Sequence, residues 1–182
     1  EAGIDIRHFG RQVVSEQALE EAANKFSYLL QNQGLEKNVS GIAKSISEYK
    51  VGNYESSIIM SWFVCEKILS EKWLVHLNSL NTECLGVKRI NSKRLKHLMD
   101  RDYTISVIIN ILELWEELSF EQYLKLEKVR VARNKIAHGD RRYKASADDA
   151  SNAIESAIKL IQQTHNLRLT PNLNRQVSGL SA

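Results

Sequence analysis

Arg133, Asn134 and His138 stand close together in the run R-N-K-I-A-H-G, which spans Arg133 to Gly139. A guanidinium can neutralise a nonbridging phosphate oxygen, and an imidazole can move a proton near neutral pH. An amide can orient either one. Together these groups suit a phosphodiester site. Asn134 and His138 are four apart, so on a helix they share one face, beside the face that carries Arg133. His138 falls in what should be a last helical turn, where the dipole favours the imidazolium. For a lone helix-terminal histidine, a simple C-cap is the better reading. The arginine and the amide beside it turn the reading toward chemistry.

A second charged residue bears on this site. Glu66 interrupts the apolar run I-I-M-S-W-F-V-C-E-K-I-L, with Trp62 and Phe63 a turn before it and Leu69 a turn after. A lone carboxylate there would face a desolvation cost of several kcal/mol, so it should be protonated, paired or at the edge of a cleft. Arg133 interrupts the stripe Leu126, Val129, Ile136 in the same way. The simplest resolution is that the two meet, the arginine fork gripping the carboxylate with both prongs. A buried ion pair that only sets register is the plain alternative.

Basic residues gather around the motif. Between Lys125 and Lys144 there are eight (Lys125, Lys128, Arg130, Arg133, Lys135, Arg141, Arg142, Lys144) against Glu127 and Asp140. A second run, Lys88 to Arg101, sets Lys88, Arg89, Lys93, Arg94, Lys96 and Arg101 against Asp100. Net charge is only +3, so the clustering and not the total points to a phosphate-bearing partner. A charge run by itself is more simply a solvated helix face.

The elements that must carry these residues are helical. Ala18, Leu19, Ala22, Ala23, Phe26, Leu29 and Leu30 recur at helical spacing, with Gly34 as the expected C-cap. Val39, Ile42, Ala43, Ile46 and Tyr49 predict a shorter helix ending before Gly52. Tyr54 to Leu80 is the most apolar stretch and reads as a central helix, with the stripe Ile59, Trp62, Glu66, Leu69, Trp73, Leu77, Leu80. A short basic helix follows, with Leu95, Leu98 and Met99 facing inward. Residues 103–111 alternate like a strand but also repeat like a helix through Leu112 and Trp115 toward Leu118. The longer pattern favours helix, and no partner strand is evident. S-x-x-Q at Ser119–Gln122 is a capping box that opens a helix running to about His138, which Gly139 should end. Ser146 opens the last helix, marked by Ala150, Ile154, Ala157, Ile158 and Ile161. After His165 the tail, with Pro171 and Gly179, should be loop or loosely docked.

The chain has 182 residues, enough for a core without staples. With 43% hydrophobic and 26% charged residues it is neither disordered nor a membrane protein. One proline and eight glycines are too few for the turns of a sandwich or barrel. The expected fold is therefore all-α, a compact bundle of about six to seven helices with the R-N-x3-H motif at the end of the penultimate one. Residues 1–53 would be an N-terminal helical elaboration, 54–165 the bundle and 166–182 a tail. No apolar run approaches a membrane span, so no membrane partner is expected. Cys65 and Cys84 lack metal spacing and suit a reduced, cytoplasmic setting. There is no phosphate loop, zinc spacing or G-x-S-x-G, and no cofactor or metal is expected. Glu1 in place of Met suggests a processed chain or a piece of a longer one.

At Arg133–Gly139 the sequence resembles the R-x4-6-H signature of the HEPN superfamily (higher eukaryotes and prokaryotes nucleotide-binding). The family favours Asn, Asp or His after the arginine, and here it is Asn134. It also carries an acidic residue on its central helix, in the place of Glu66. The likeness covers roughly residues 54–165. It implies an all-α bundle that dimerises through the motif helices. For members that keep the motif it implies metal-independent endoribonuclease activity, often in toxins or in defence against phage, with an antitoxin or regulatory domain as a possible partner. The toxin branch with H-x-Y would need tyrosine at position 140, where this chain has Asp140; Tyr143 is the nearest, and that branch's tyrosine role is not carried over.

The leading expectation is a homodimeric ribonuclease that leaves 2′,3′-cyclic phosphate and 5′-OH ends. Arg133, Asn134 and His138 would be catalytic and Glu66 supporting. Arg130, Lys135, Arg141, Arg142, Lys88, Arg89, Lys93 and Arg94 would hold the RNA backbone. The rivals are a non-catalytic RNA- or nucleotide-binding module and a helical interaction module of a larger protein. An accessible His138 in a cleft favours the enzyme. A fully buried Glu66–Arg133–His138 network favours the interaction module.

Overall fold

The computed structural model describes residues 15–100, 102–171 and 173. Arg101, the last cation of the second basic run, and Gly179 of the tail lie outside the described residues. Among the described residues seven helices follow one another: α1 (Glu16–Gln31), α2 (Gln33–Lys50), α3 (Tyr54–Ser79), α4 (Ser92–Leu98), α5 (Ile105–Leu114), α6 (Phe120–Ala137) and α7 (Ala147–His165). Two two-residue strands, β1 (Glu83–Cys84) and β2 (Val87–Lys88), precede α4. The fold is all-α, and the R-N-x3-H run closes the penultimate helix.

The chain divides between Glu36 and Lys37, inside α2, into two compact units. The division falls earlier than the 53/54 boundary drawn from the sequence, because most of α2 is built into the bundle. In the first unit α1 is amphipathic, but Leu19, Phe26 and Leu30 on its apolar stripe are exposed. Gly34 does not cap α1. It lies in the first turn of α2, and Asn32 alone makes the junction, accepting from the Glu36 amide at 2.9 Å.

In the second unit α3 is the axis, packing on α5, α6 and α7. Trp62, Cys65, Ile68, Leu69, Trp73 and Leu77 are buried along it. Ala150, Ala153 and Ala157 are fully buried on α7, and such small side chains let two helix backbones come close. Gly52 at φ +83° ends α2 in a Schellman turn: its amide reaches the Tyr49 carbonyl, and the Asn53 amide reaches that of Glu48. The expected capping box forms between Ser119 and Gln122, and Ser146 opens α7 as expected, through a second box with Asp149.

Two local expectations are corrected. Leu95 and Leu98 of α4 are half-buried, but Met99 is 42% exposed, because α4 ends at Leu98 and Met99 caps it. The paired strands were not expected. Leu85 and Gly86 both take positive φ (55° and 75°), which gives a two-residue I′-type reversal without the usual Asn-Gly signal. The helix chosen for the ambiguous 103–111 segment forms as α5, and Leu118, just beyond it, is buried.

α2 is tied to α3 by hydroxyls. The fully buried Ser45 Oγ donates to the Ser57 carbonyl at 2.8 Å and meets Ser57 Oγ at 2.9 Å and Ser61 Oγ at 2.7 Å. Ser45→Ala leaves those two hydroxyls short of a partner and should destabilise by roughly 1–3 kcal/mol. Thermal unfolding should show a melting point several degrees lower, and Ser45→Cys should not restore it.

Candidate functional site

α6 presents its residues in three directions. Leu126, Val129 and Ala132 are buried. Arg133 turns toward α3, where its Nη2 stands 3.8 Å from Glu66 Oε1. Phe120, Leu124 and Val131 are exposed large apolar residues. At 3.6 residues per turn they fall within about 40° of one another, and His138 continues their line with Asn134 about 40° to one side.

The expected two-pronged grip of Arg133 on Glu66 does not form. At 3.8 Å the contact is an ion pair too long to be a hydrogen bond, and the two side chains are 32% and 28% exposed. Glu66 instead accepts from Trp62 Nε1 at 2.6 Å, one turn back on α3. Arg133 Nη1 donates to Asn134 Oδ1 at 3.2 Å. Glu66 is thus both paired and at the edge of a cleft. With Trp62, Thr104, Ser106 and Arg130 these three residues line a shallow recess of about 290 Å³.

His138 is the C-cap of α6 and is exposed. Gly139, at φ +65°, completes a second Schellman turn, with its amide on the Ile136 carbonyl and that of Asp140 on Lys135. His138, Val131, Lys135 and Asp140 line a neighbouring recess of about 330 Å³. Asn134 belongs to both recesses and stands between the two charged groups. Arg133 and His138 are therefore adjacent but face different hollows of one protomer.

The flanking cations are arranged differently from the sequence expectation. Arg130 commits its fork to Glu127 (Nε–Oε1 2.9 Å, Nη2–Oε2 2.7 Å), and that hydrogen bonding raises its pKa above the ordinary value. Lys135 lies over the Tyr143 ring at 5.2 Å, a cation–π contact beside the motif. Arg141 is exposed, and Arg142 is 98% exposed, with its Nε 4.0 Å from Asp140. Lys88, Arg89, Lys93 and Arg94 sit on the hairpin and α4, beyond the C-terminal end of α3. The helical rise alone places that end about 20 Å along the axis from Glu66. These four do not join the Arg133 recess. Arg94 turns back on its own loop, donating to the Arg89 carbonyl at 3.0 Å. Among the described residues no three His, Cys, Asp or Glu side chains gather in one place.

Tyr143 pins the loop after the motif to α7. Its hydroxyl donates to Asp149 Oδ2 at 3.0 Å, and burial together with that bond pushes the phenol pKa well up. Burial pushes the Asp149 carboxyl up as well. The Ser146 amide and hydroxyl, Tyr143 and the charge of Lys135 outweigh it and leave the carboxyl below its usual value. A depressed folded pKa contributes stability that is complete above the unfolded value and is lost as pH falls through the folded one. The melting-point gap between wild type and Asp149→Ala should therefore be widest near neutrality and narrow below about pH 4. A gap that does not change with pH would show that the carboxylate charge plays no part.

Thr104, Ser106 and Trp62 are site residues that the sequence reading did not assign. Trp62 could have been found from its i, i−4 spacing to Glu66. Thr104 and Ser106 arrive only through the packing of α5 on α3 and α6, which no local pattern shows. No family model, no curated protein and no solved structure matches this chain. No described helix is long and apolar enough to cross a membrane.

Proposed function

We propose that the chain is a metal-independent endoribonuclease of HEPN type that works as a homodimer, in a toxin or antiphage setting. The observation that carries this reading is the division of labour over the last turn of α6 and its C-cap. Glu66 and Asn134 hold Arg133 at one recess, while His138 stands exposed at the next. An accessible histidine favours an enzyme over a closed structural network. The exposed stripe Phe120, Leu124, Val131 leads to His138, with Asn134 beside it. A two-fold contact along it would bury the stripe and bring two motif ends into one cleft.

In the reaction the RNA 2′-oxygen attacks the adjacent phosphorus and the bond to the 5′-oxygen breaks. One His138 takes the 2′-OH proton, and the partner subunit's His138 gives one to the departing 5′-oxygen. Arg133 stabilises the added charge on the phosphorane. The products are a 2′,3′-cyclic phosphate and a 5′-OH. Lys135, Arg141 and Arg142 are the cations best placed to hold the backbone.

The second reading is a non-catalytic RNA- or nucleotide-binding module. The capture of Arg130 by Glu127 and the distance of the Lys88–Arg94 run favour it, since they leave fewer cations at the motif. Gel cleavage of a mixed RNA pool, with and without EDTA, decides between them. Chelator-resistant cleavage with cyclic-phosphate ends, lost in Arg133→Ala, is the expected result. Salt-sensitive binding without cleavage would establish the binding module, and a monomer with full activity would remove the dimer.

A further inference from the structure

A groove of about 430 Å³ runs between α2 and α3 and shares no lining residue with the Arg133 recess. Its floor is Met60, Phe63 and Val64, and Lys37, Lys44 and Lys67 stand around it. Phe63 is 62% exposed, a large ring left open on a helix that is otherwise the axis of the core. Gly41 lets the helices close: a Cβ there would meet Val64 Cγ2 at 2.8 Å. Among the described residues no acidic side chain lines the groove. Lys67 donates to Asn38 Oδ1 at 3.1 Å and stands 3.9 Å from Glu71, whereas Lys37 and Lys44 form no ion pair among the described residues. Asn38 lines the groove, is only 2% exposed, and its Nδ2 has no acceptor among the described residues.

We propose that this groove is the docking site for an acidic amphipathic helix of a partner protein. Shape decides against a small molecule. Pockets for small ligands cover most of the ligand, and this floor is open. Its lining repeats at positions 37, 41 and 44 on α2 and at 60, 63–64 and 67 on α3, so it runs along both helices for about 10 Å. That is the trough into which a helix lays residues i, i+3, i+4 and i+7. Charge sets the sign of the partner. Lys37 and Lys44, which form no ion pair among the described residues, repel a basic helix and draw in one whose flanks carry Glu or Asp. Phe63 is the anchor, an aromatic ring able to become fully desolvated at the centre of the contact.

The test uses the full chain and synthetic peptides of about 20 residues, long enough to be helical in isolation. One has Leu and Phe at i, i+3, i+4, i+7 with Glu elsewhere, one is the same with Lys for Glu, and one is a scrambled acidic peptide without an apolar face. Fluorescence anisotropy should show salt-sensitive binding of the first alone. Phe63→Ser should weaken it by at least about tenfold, the effect of losing a central anchor. The double variant Lys37→Glu, Lys44→Glu should abolish it and admit the Lys peptide instead. Both variants alter surface residues, and unchanged melting points will show that they fold. Equal binding of the scrambled peptide, or binding indifferent to Phe63→Ser, would overturn the proposal. Self-association of the chain that Phe63→Ser abolishes would give the groove to a second copy. Phe63-dependent binding to phosphatidylglycerol vesicles without peptide binding would give it to a membrane. Either result replaces the partner helix. Because the two sites share no residue, the ribonuclease reading stands or falls separately.

Discussion

On the ribonuclease reading proposed above, His138→Ala should leave the fold and RNA affinity near those of wild type and lower RNA cleavage by about 10²–10⁴-fold, the usual contribution of a residue that moves a proton in the transition state. The asymmetry follows from position. His138 caps α6 from outside the core, and its ring is exposed. The termination of the helix depends on the backbone of Gly139 and Asp140, not on the imidazole. Removing the ring opens no cavity and, as a change at an exposed surface position, costs about 0.5 kcal/mol or less. That is a small shift in melting point. Cleavage, binding and melting should be measured on the same preparations. Equal cleavage by the variant would place the chemistry elsewhere, and a collapse in melting point would make His138 a structural cap.

The second large effect separates two roles of Glu66. Glu66→Ala should lower both stability and cleavage, whereas Glu66→Gln should keep most of the stability and still lose cleavage. The reason is the uneven geometry around the carboxylate. The short bond is to Trp62 Nε1, on a side chain only 1% exposed, and the long one is to Arg133. Deleting the carboxylate leaves a buried indole N–H without an acceptor, which costs roughly 1–3 kcal/mol. The half-exposed ion pair adds about 1 kcal/mol or less. Glutamine still offers Trp62 an oxygen but no charge to Arg133, so the guanidinium loses its direction. Cleavage rates and melting points of both variants decide the matter. If the two variants melt alike, Trp62 is not the partner that matters. If Glu66→Gln cleaves like wild type, Arg133 is not held by Glu66.

Local signals carried much of this fold. Ser119–Gln122 and Ser146–Asp149 were readable as helix starts because a capping box is a contact between residues three apart. Gly52 and Gly139 were readable as ends because each takes a positive φ that other residues resist. Gly34 misled for the same reason: a glycine near a junction fits several positions, and Asn32 made the turn instead. The Leu85–Gly86 reversal was illegible because leucine is not a turn residue there. The proximity of Arg133 to Glu66 was visible as two charges interrupting two apolar stripes. The single long contact in place of a fork was not visible, because it depends on how far α6 stands from α3. The same limit hid Thr104 and Ser106, and it hid that the hairpin cations do not line the Arg133 recess.

Cys65 lies fully buried at the midpoint of α3, where burial, with the charge of neighbouring Glu66 adding to it, pushes its thiol pKa far up. Only the thiolate attacks an alkylating reagent, so the native protein shields this sulfur both sterically and by keeping its proton on. Labelling at Cys65 must wait for α3 to come out of the bundle. Its rate then works as a clock for the rarest excursions of the molecule, those that approach global opening rather than fraying. In a Cys84→Ser background, that single atom would show whether a ligand at either recess or at the α2–α3 groove steadies the whole bundle or only the helix it touches.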